Sequence, residues 1–291
     1  MDNATALRQL IEAPELLVLP GAHDVLSAKL IEQAGFSAVF TSGFGLAASA
    51  LGIPDVGLLT MTETLDRVKR IVDAVSIPVV ADMDTGYGNS LNVVRTVQEC
   101  VGLGVAGIIL EDQLWPKKCG HMEGKKVIPI EEHVQKIRAA AYAREGNELV
   151  IIARTDAIAP EGFDEAIERG RAYSKAGADV IFVEAPQNID QMKTVTSSFD
   201  TPVFANMVEG GKTPFLSALE LEELGYDMVV YPLSGLFAAT RAIQAVAGHL
   251  KKTGTTDGYD AMSTFSEFEK VIGLHDYNEL EARFTVGQGS E

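Results

Sequence analysis

Short apolar segments rich in valine and isoleucine recur along the chain, and longer stretches with helical periodicity separate them. These segments lack the strict alternation of half-exposed strands, which is typical of strands buried on both faces of a parallel sheet. The predicted helices between them, such as Glu63–Val75 and Asp164–Ala176, are often followed by a glycine, the usual stop at a helix C terminus. The eight predicted strands are Leu16–Leu19, Ala38–Ser42, Ile77–Asp82, Ala106–Glu111, Leu149–Arg154, Asp179–Glu184, Pro202–Asn206 and Asp227–Tyr231.

Eight such units without a linker or a low-complexity break predict an α/β fold, a (β/α)8 TIM-type barrel formed by one domain over residues 1–291. A doubly wound open sheet is the alternative, but no Gly-x-Gly-x-x-Gly motif follows the first strand. Residues from about 234 to 291 exceed what eight units require. We expect them to form extra C-terminal helices that pack on the barrel or are swapped with a neighbouring subunit.

The composition excludes several classes of protein. Asp and Glu together number 41 against 24 for Lys and Arg, a net charge of −17, and such a surface repels nucleic acid and anionic membranes. No apolar run approaches the roughly 18 residues of a membrane span, and the first residues lack the pattern of a signal peptide. Two cysteines cannot build a disulfide framework, so we expect a cytoplasmic protein with free thiols.

Polar residues follow seven of the eight predicted strands, at the end where the active site of a (β/α)8 barrel lies. One polar strand end is ordinary, whereas seven at one barrel mouth predict an active site. Among these side chains, Arg154 could bind a carboxylate or phosphonate in bidentate fashion, or form an ion pair with Glu184. Asn206 could donate a hydrogen bond to a substrate oxygen, and Ser42 with the Gly43 backbone could bind a substrate carboxylate.

Three of these polar residues predict a metal site. Asp82 and Asp84 stand two apart on a segment predicted to be extended, so they point the same way, and Glu111 ends the adjacent strand. Three neighbouring carboxylates repel one another unless protons or a cation neutralise them. All-oxygen ligation suits Mg²⁺ or Mn²⁺. Asp84 could instead begin a turn that caps the next helix, and both roles are compatible.

The segment Lys117-Lys118-Cys119-Gly120-His121 predicts a reactive thiol. Neighbouring cations should lower the pKa of the Cys119 thiol, and a thiol that titrates near neutrality suits proton transfer. A surface loop with an incidental cysteine is the alternative. Zinc is not expected, because no second cysteine or histidine stands at ligand spacing. Trp115 and Phe237 could line the pocket, although each could equally belong to the core.

Together these motifs resemble the isocitrate lyase/phosphoenolpyruvate mutase superfamily over almost the whole chain, and Lys-Lys-Cys-Gly-His is the signature of its lyase branch. The resemblance implies a Mg²⁺-dependent barrel, with Mn²⁺ as a possible substitute, that is usually a homotetramer. Members act on small 2-oxo or 2-hydroxy carboxylates, including di- and tricarboxylates, through enolate-like intermediates. The matching segments are Pro20–Asp24, Thr41–Gly43, Asp82–Gly88, Glu111–Gln113, Lys117–His121, Ala153–Asp156 and Asn206–Glu209.

The resemblance also implies roles for individual residues. Cys119 takes the position of the proton donor, Lys117 and His121 would tune its thiol, and Arg154 would stabilise the developing negative charge. The general base stays open between Glu111 and a water molecule on the metal. The implied metal site comprises Asp82, Asp84 and Glu111, with Asp55 in the outer shell. The implied substrate contacts are Ser42, Gly43, Phe44, Asp82, Gly120, Arg154, Glu184, Asn206, Pro232 and Ser234.

Within the superfamily, Asn206–Pro214 is most similar to 2,3-dimethylmalate lyases, to petal-death-type lyases of 2-alkylmalates and to carboxyphosphonoenolpyruvate phosphonomutases. Phe40 and Phe237 replace a tyrosine and an arginine of 2-methylisocitrate lyases, and the lost cation indicates one fewer substrate carboxylate. We therefore expect cleavage of a 2-hydroxy-dicarboxylate such as 2,3-dimethylmalate to pyruvate, or another 2-oxo acid, and a carboxylic acid. A phosphonomutase, a 2-methylisocitrate lyase and a non-catalytic oligomeric scaffold are the alternatives.

Overall fold

The computed structural model describes residues 2–120 and 124–285, and the chain divides into two compact units, Met1–Phe237 and Ala238–Glu291. In the first unit, eight parallel strands close into a barrel in chain order, which confirms the predicted (β/α)8 fold. The strands are β1 (Leu17–Ala22), β2 (Val39–Thr41), β3 (Val79–Asp82), β4 (Gly107–Glu111), β5 (Val150–Thr155), β6 (Val180–Val183), β7 (Val203–Asn206) and β8 (Met228–Tyr231).

Helices connect successive strands, and the shorter ones supplement the eight βα units. Those in the first unit are α1 (Asn3–Glu12), α2 (Val25–Gln33), α3 (Gly43–Leu51), α4 (Met61–Val72), α5 (Ser90–Leu103), α6 (Ile130–Ala143), α7 (Ile158–Glu161), α8 (Phe163–Ala176), α9 (Ile189–Ser197) and α10 (Ala218–Glu223). The chain continues with α11 (Ser234–Thr253), α12 (Phe265–Val271) and α13 (Leu274–Phe284).

Local sequence signals set where the helices begin and end. At the start of α4, the Thr60 hydroxyl accepts a hydrogen bond from the Glu63 backbone N–H, while the Glu63 carboxylate accepts one from the Thr60 backbone N–H. The glycines predicted to stop helices all have positive φ, for example 76° at Gly104 and 109° at Gly177. The strand boundaries differ most at β1, which continues through Pro20 to Ala22 because it pairs on both sides.

Alternate strand residues divide the core into two apolar clusters. Side chains such as Phe40, Ile152 and Phe182 point into the barrel, whereas their sequence neighbours pack outward against the helices. This double burial explains why the strands read as unbroken apolar runs. Leu7 of α1 packs into the same cluster as the barrel interior, and the absent side chain of Gly107 makes room for it.

The second unit contains α12, α13 and most of α11. None of its described residues, 238–285, is buried, and Phe265 and Phe284 are among its exposed large apolar side chains. Exposed apolar side chains of this size are typical of a surface that a partner covers. That this extension packs on the barrel or is swapped between subunits stays a prediction. In residues 2–120 and 124–285, no helix is long and apolar enough to cross a membrane.

Replacing Gly21 with alanine should strongly destabilise the barrel. A Cβ at Gly21 would overlap the backbone carbonyl of Pro232, where β1 meets the chain after β8, and backbone cannot move aside as a side chain can. We expect Gly21→Ala to lower the free energy of unfolding in urea by about 3 kcal/mol or more.

Gly102→Ala is the matched control, because Gly102 lies inside α5 and a Cβ there would meet nothing within 4 Å. It should leave stability unchanged or raise it by up to about 1 kcal/mol. Equal unfolding free energies for the two variants would contradict the tight approach at Gly21.

Candidate active site

One layer of mostly polar side chains closes the barrel interior at the C-terminal ends of the strands. Each member stands two residues after an apolar side chain that points into the barrel, as Arg154 follows Ile152 and Glu184 follows Phe182. Because strand side chains alternate with a period of two, the polar layer lies directly on the apolar one. In chain order, its members are Ser42, Asp82, Glu111, Arg154, Glu184, Asn206 and Pro232.

A pocket at this mouth brings together most of the residues predicted from the sequence. Ser234 is not among its lining residues, because its hydroxyl donates to Glu209 where α11 begins. Trp115 lines a separate cavity, and Phe237 is 41% exposed and absent from both linings. His121 lies outside the described residues. The predicted residues that line the pocket are Ser42, Phe44, Asp55, Asp82, Glu111, Lys117, Cys119, Gly120, Arg154, Asn206 and Pro232.

The buried ammonium of Lys117 lies between two carboxylates. Its Nζ is 2.7 Å from Oδ1 of Asp55 and 2.6 Å from Oδ1 of Asp84. Burial alone would lower the pKa of Lys117, but Asp84, Glu111 and Asp55 raise it well above its usual value. Lys117 was expected to tune the thiol of Cys119, whereas its observed partners are these acids.

Asp82 and Asp84 converge for a reason other than the predicted one. β3 ends at Asp82, and Asp84 has a left-handed backbone (φ 51°), so the pair does not lie on one extended segment. Instead, Oδ1 of Asp82 accepts a hydrogen bond from the Asp84 backbone N–H at 3.0 Å, which turns the chain back over the mouth. Burial raises the pKa of Asp84 to about 7, with Asp82 and Asp55 adding to the effect against Lys117.

Gly43 makes the close approach of these charged groups possible. A Cβ at this position would lie 3.2 Å from Oδ2 of Asp82, 3.3 Å from Oδ1 of Asp84 and 3.4 Å from Nζ of Lys117. The Gly43 backbone N–H also donates to Oδ2 of Asp82 at 3.3 Å. Any side chain here would therefore fill the space at which the three groups meet.

Arg154 is held by Asp156, which belongs to the matched segment Ala153–Asp156 but had no role assigned from the sequence. Its Nε and Nη2 donate to Oδ2 and Oδ1 of Asp156 at 2.8 and 3.1 Å, and its guanidinium stacks on the Phe182 ring 5.0 Å from the centroid. Nε also lies 3.4 Å from Glu111, and Nη2 lies 3.9 Å from Glu184. The expected ion pair with Glu184 is therefore present but long, and Nη1 takes part in none of these contacts.

Two buried polar atoms near Arg154 have no hydrogen-bond partner, namely Oε1 of Glu111 and Oδ1 of Asn206. Burial is the main reason why the pKa of Glu111 is raised well above its usual value, despite Arg154. Asn206 was expected to donate to a substrate oxygen, but its Nδ2 donates to both carboxylate oxygens of Glu184 at 3.2 Å. Its remaining buried atom is an acceptor without a donor among the described residues, and a water molecule or a ligand with a donor group would satisfy it.

The segment that carries Cys119 is tied down on both sides of the thiol. Gln113 donates to the Lys118 carbonyl at 2.8 Å and accepts from the Lys118 backbone N–H at 3.0 Å. A Cβ on Gly120 would overlap Arg154 and Glu184, so glycine lets the backbone pack directly against the polar layer. The partly exposed Cys119 is thereby held at the pocket.

The residues that support the site have weak sequence signals or none. The two-residue period of strands could have identified Phe182 and Val230 as pocket walls, because each stands two positions before a member of the polar layer. Gln113 lay in a recognised motif but had no role assigned. Lys125 has no local signal at all, since nothing in the sequence around it separates it from the exposed Lys126.

The charges at the mouth fit a divalent cation, although the described part of the chain holds no preformed set of ligands. In residues 2–120 and 124–285, no three acidic, imidazole or thiol groups are arranged to hold a metal ion. The buried carboxylates nevertheless outnumber the buried cations, and the unpartnered Oε1 of Glu111 is an oxygen ligand of the type that Mg²⁺ prefers. The carboxylates are Asp55, Asp82, Asp84, Glu111, Asp156 and Glu184, and the cations are Lys117, Lys125 and Arg154.

Known proteins are similar to this chain over almost its full length. The family described as phosphoenolpyruvate phosphomutase matches residues 7–251. The 2,3-dimethylmalate lyase of Eubacterium barkeri is 48% identical over 99% of this chain and 100% of its own. The petal death protein of Dianthus caryophyllus is 45% identical over 96% of this chain and 89% of its own. The chloroplastic carboxyvinyl-carboxyphosphonate phosphorylmutase of Arabidopsis thaliana is 45% identical over 97% and 84%.

Solved structures of similar proteins superpose closely on this chain. Oxaloacetate acetylhydrolase in complex with 3,3-difluorooxalacetate superposes with a TM-score of 0.93 at 35% identity, covering 97% of this chain and 96% of that chain. Phosphonopyruvate hydrolase in complex with oxalate and Mg²⁺ superposes with a TM-score of 0.88 at 33% identity, covering 98% and 99%. With Lys117, Cys119 and Gly120 at the mouth of a closed barrel, the chain belongs to the phosphoenolpyruvate mutase/isocitrate lyase superfamily.

Proposed function

We propose that the protein is a Mg²⁺-dependent carbon–carbon lyase. Its substrate is a 2-hydroxy-dicarboxylate, a 2-alkylmalate such as 2,3-dimethylmalate, and its products are pyruvate or another 2-oxo acid and a carboxylic acid. The observation that carries this proposal is the packing of Gly120 against Arg154 and Glu184, because it puts the neighbouring Cys119 at the acid-rich pocket. The 48% identity to a 2,3-dimethylmalate lyase supports the same reaction.

The residues at the mouth divide the chemistry among them. Nη1 of Arg154, which is not engaged by Asp156, binds a substrate carboxylate and stabilises the charge that develops as the C2–C3 bond breaks. The proton of the 2-hydroxyl passes to a general base, for which Glu111 and a water molecule are the candidates, as the C2–C3 bond breaks to leave the 2-oxo acid. Cys119 then donates the thiol proton to the carbon of the departing enediolate. The Ser42 hydroxyl orients a carboxylate in the pocket, whereas Gly43, whose N–H donates to Asp82, keeps the space beside Asp82 and Asp84 open.

Asp84 and Glu111 are the residues that would hold Mg²⁺, with Asp82 beside them and Asp55 in the outer shell. When bound, the cation supplies positive charge that lowers the pKa of the substrate hydroxyl. The unpartnered Oε1 of Glu111 supports this choice, and burial raises the pKa values of both carboxylates, so a cation beside them would offset the cost of their charged forms. Mn²⁺ has the same ligand preference and is a possible substitute.

The apolar wall of the pocket favours an alkylated substrate over a tricarboxylate. Phe40, Phe182, Val208, Val230 and Leu233 line it. Phe237, which stands where 2-methylisocitrate lyases have an arginine, does not contribute to this wall, because it is 41% exposed and does not line the pocket. Alkyl groups on the malate skeleton would bury apolar surface against this wall, whereas a third carboxylate would lose its hydration there.

We also propose a homotetramer that resides in the cytoplasm. The exposed apolar side chains of residues 238–285 support assembly, since a free surface of this kind is costly in water. The two cysteines are free thiols, which suits a reducing compartment.

A substrate panel tests the reaction. With Mg²⁺ present, 2,3-dimethylmalate should release pyruvate with a higher kcat/KM than 2-methylisocitrate or oxaloacetate, because the apolar wall accommodates methyl groups. Pyruvate release is followed with lactate dehydrogenase and NADH. Rearrangement of phosphonopyruvate-type compounds, followed by ³¹P NMR, would identify a phosphonomutase instead. A purified protein with neither activity would favour the scaffold.

Replacing Cys119 with alanine should lower kcat at least about 100-fold, the lower range for loss of a positioned proton donor. Binding of Mg²⁺ and pyruvate, measured by calorimetry, should persist because Arg154 and the acids are intact. Cys100→Ala is the matched control, since this buried thiol lies in α5 outside the pocket lining. It should retain kcat, whereas unchanged turnover of Cys119→Ala would disprove the assigned role.

Removing divalent cations should abolish turnover. After dialysis against EDTA, adding Mg²⁺ should restore activity and raise the Tm, because a bound cation stabilises the folded state. Asp84→Asn should reduce this rise in Tm, whereas Asp66→Asn, which changes an exposed acid paired with Arg70, should not. Full activity in excess EDTA would contradict the metal requirement.

A further inference from the structure

The ammonium of Lys125 joins two parts of the mouth that lie far apart in sequence. Its Nζ donates to the backbone carbonyl of Gly120 at 2.5 Å and to Oδ1 of Asp156 at 2.7 Å. The side chain of Lys125 is almost completely buried, with 2% of its surface exposed. A buried ammonium with two short contacts to acceptors is a specific arrangement, because an unpaired charge in this position would be costly.

Asp156 is a firm anchor for this contact. Its backbone N–H donates to Oδ1 of Asp112 at 2.9 Å, and the hydroxyl of its neighbour Thr155 donates to Oδ2 of Asp112 at 2.8 Å. Asp112 is held in turn by Arg169 and Tyr173 of α8, at 3.1 and 2.8 Å. Every member of this network is buried, so Asp156 is held to the outer helix layer as well as to the barrel.

The same carboxylate orients Arg154. Oδ1 of Asp156 accepts from both Lys125 and Nη2 of Arg154, and Oδ2 accepts from Nε of Arg154. One acid therefore sets the position of the guanidinium and, through Lys125, the position of the Gly120 carbonyl. The distance between the thiol-bearing segment and Arg154 depends on this shared anchor.

We propose that Lys125 is a positioning residue that holds the segment carrying Cys119 against Arg154. This proposal rests on the proposed function, in which Cys119 transfers the proton. Lysine suits the position because the Gly120 carbonyl and the Asp156 carboxylate are both acceptors, and only a side chain with several donors can join them. Nothing in the reaction requires Lys125 to touch the substrate, and it does not line the pocket.

Loss of the tether should disturb one end of the segment without unfolding it. Lys117 would still contact Asp55 and Asp84, and Gln113 would still hold the Lys118 backbone. Only the Gly120 end would lose its donor. Because Gly120 packs against Arg154 and Glu184 without room for a Cβ, a small shift there displaces the neighbouring thiol.

The test compares Lys125→Met, which keeps the length and apolar stem, with Lys125→Arg, which keeps the charge. Lys126→Met is the matched control, because the adjacent lysine is exposed. Lys125→Gln is a second neutral variant in case the methionine variant does not fold. Circular dichroism and Tm verify folding of each full-length, Mg²⁺-loaded protein.

The first readout is hydrogen–deuterium exchange of the peptide that covers residues 114–120, without substrate. Lys125→Met should exchange about tenfold faster or more, the factor expected for the loss of a hydrogen bond to a charged group. Lys125→Arg should recover part of the protection, and Lys126→Met should match the unmodified protein. Unchanged exchange in a folded neutral variant would overturn the tether.

The second readout compares the change in kcat with the change in KM. Lys125→Met should lower kcat for 2,3-dimethylmalate at least about tenfold while KM changes less than about threefold, because the displaced thiol acts after binding. Faster exchange with unchanged kcat would overturn the positioning role. Failure of the proposed function shows as absent turnover in the unmodified protein, whereas failure of the tether shows in the exchange rates, so the two are distinguished.

Discussion

Buried charge at the barrel mouth is the constraint on which the site depends. Carboxylates removed from water must be paired, protonated or bound to a cation, and here six of them surround three buried cations among the described residues. Lys117 lies between Asp55 and Asp84, and Asp156 receives both Arg154 and Lys125. Burial raises the pKa values of Asp84 and Glu111 although Lys117 and Arg154 lie nearby, and this cost of burying their charged forms supports the proposed divalent cation.

The barrel stabilises these buried charges through the apolar interior beneath them and through hydrogen bonds to the outer helices. Beneath the polar layer, the interior is filled by apolar side chains such as Ile152 and Phe182, which keep water out. Outside the strands, Asp112 connects Thr155 and Asp156 to α8 through Arg169 and Tyr173. The groups that contact substrate in the proposed reaction are therefore few, whereas the groups that orient them extend to the outer helices.

The fold and most of the polar layer at the mouth can be predicted from the sequence, but the residues that orient this layer cannot. Asp82, Glu111 and Arg154 could be predicted because a polar residue that interrupts an apolar strand is conspicuous. Lys125 could not, since its contact with Asp156 joins segments about thirty residues apart and no local pattern marks it, and Asp156 lay in a matched segment without a sign of which cations it holds. The contact of Asn206 with Glu184 is hidden from the sequence for the same reason, because only the folded chain brings the amide of one strand end against the carboxylate of the next.

The ring of strands closes where β1 pairs with β8, which joins Leu17 to Met228 across most of the first unit. Contacts between such distant segments are slow to form, because the chain between them must first be ordered. Gly21 and Pro232 meet at this seam, and Pro232 is part of the pocket wall. During synthesis, the pocket is consequently incomplete until the ribosome has released the eighth strand. A nascent chain without β8 contains the acids of the mouth but cannot enclose them in a pocket.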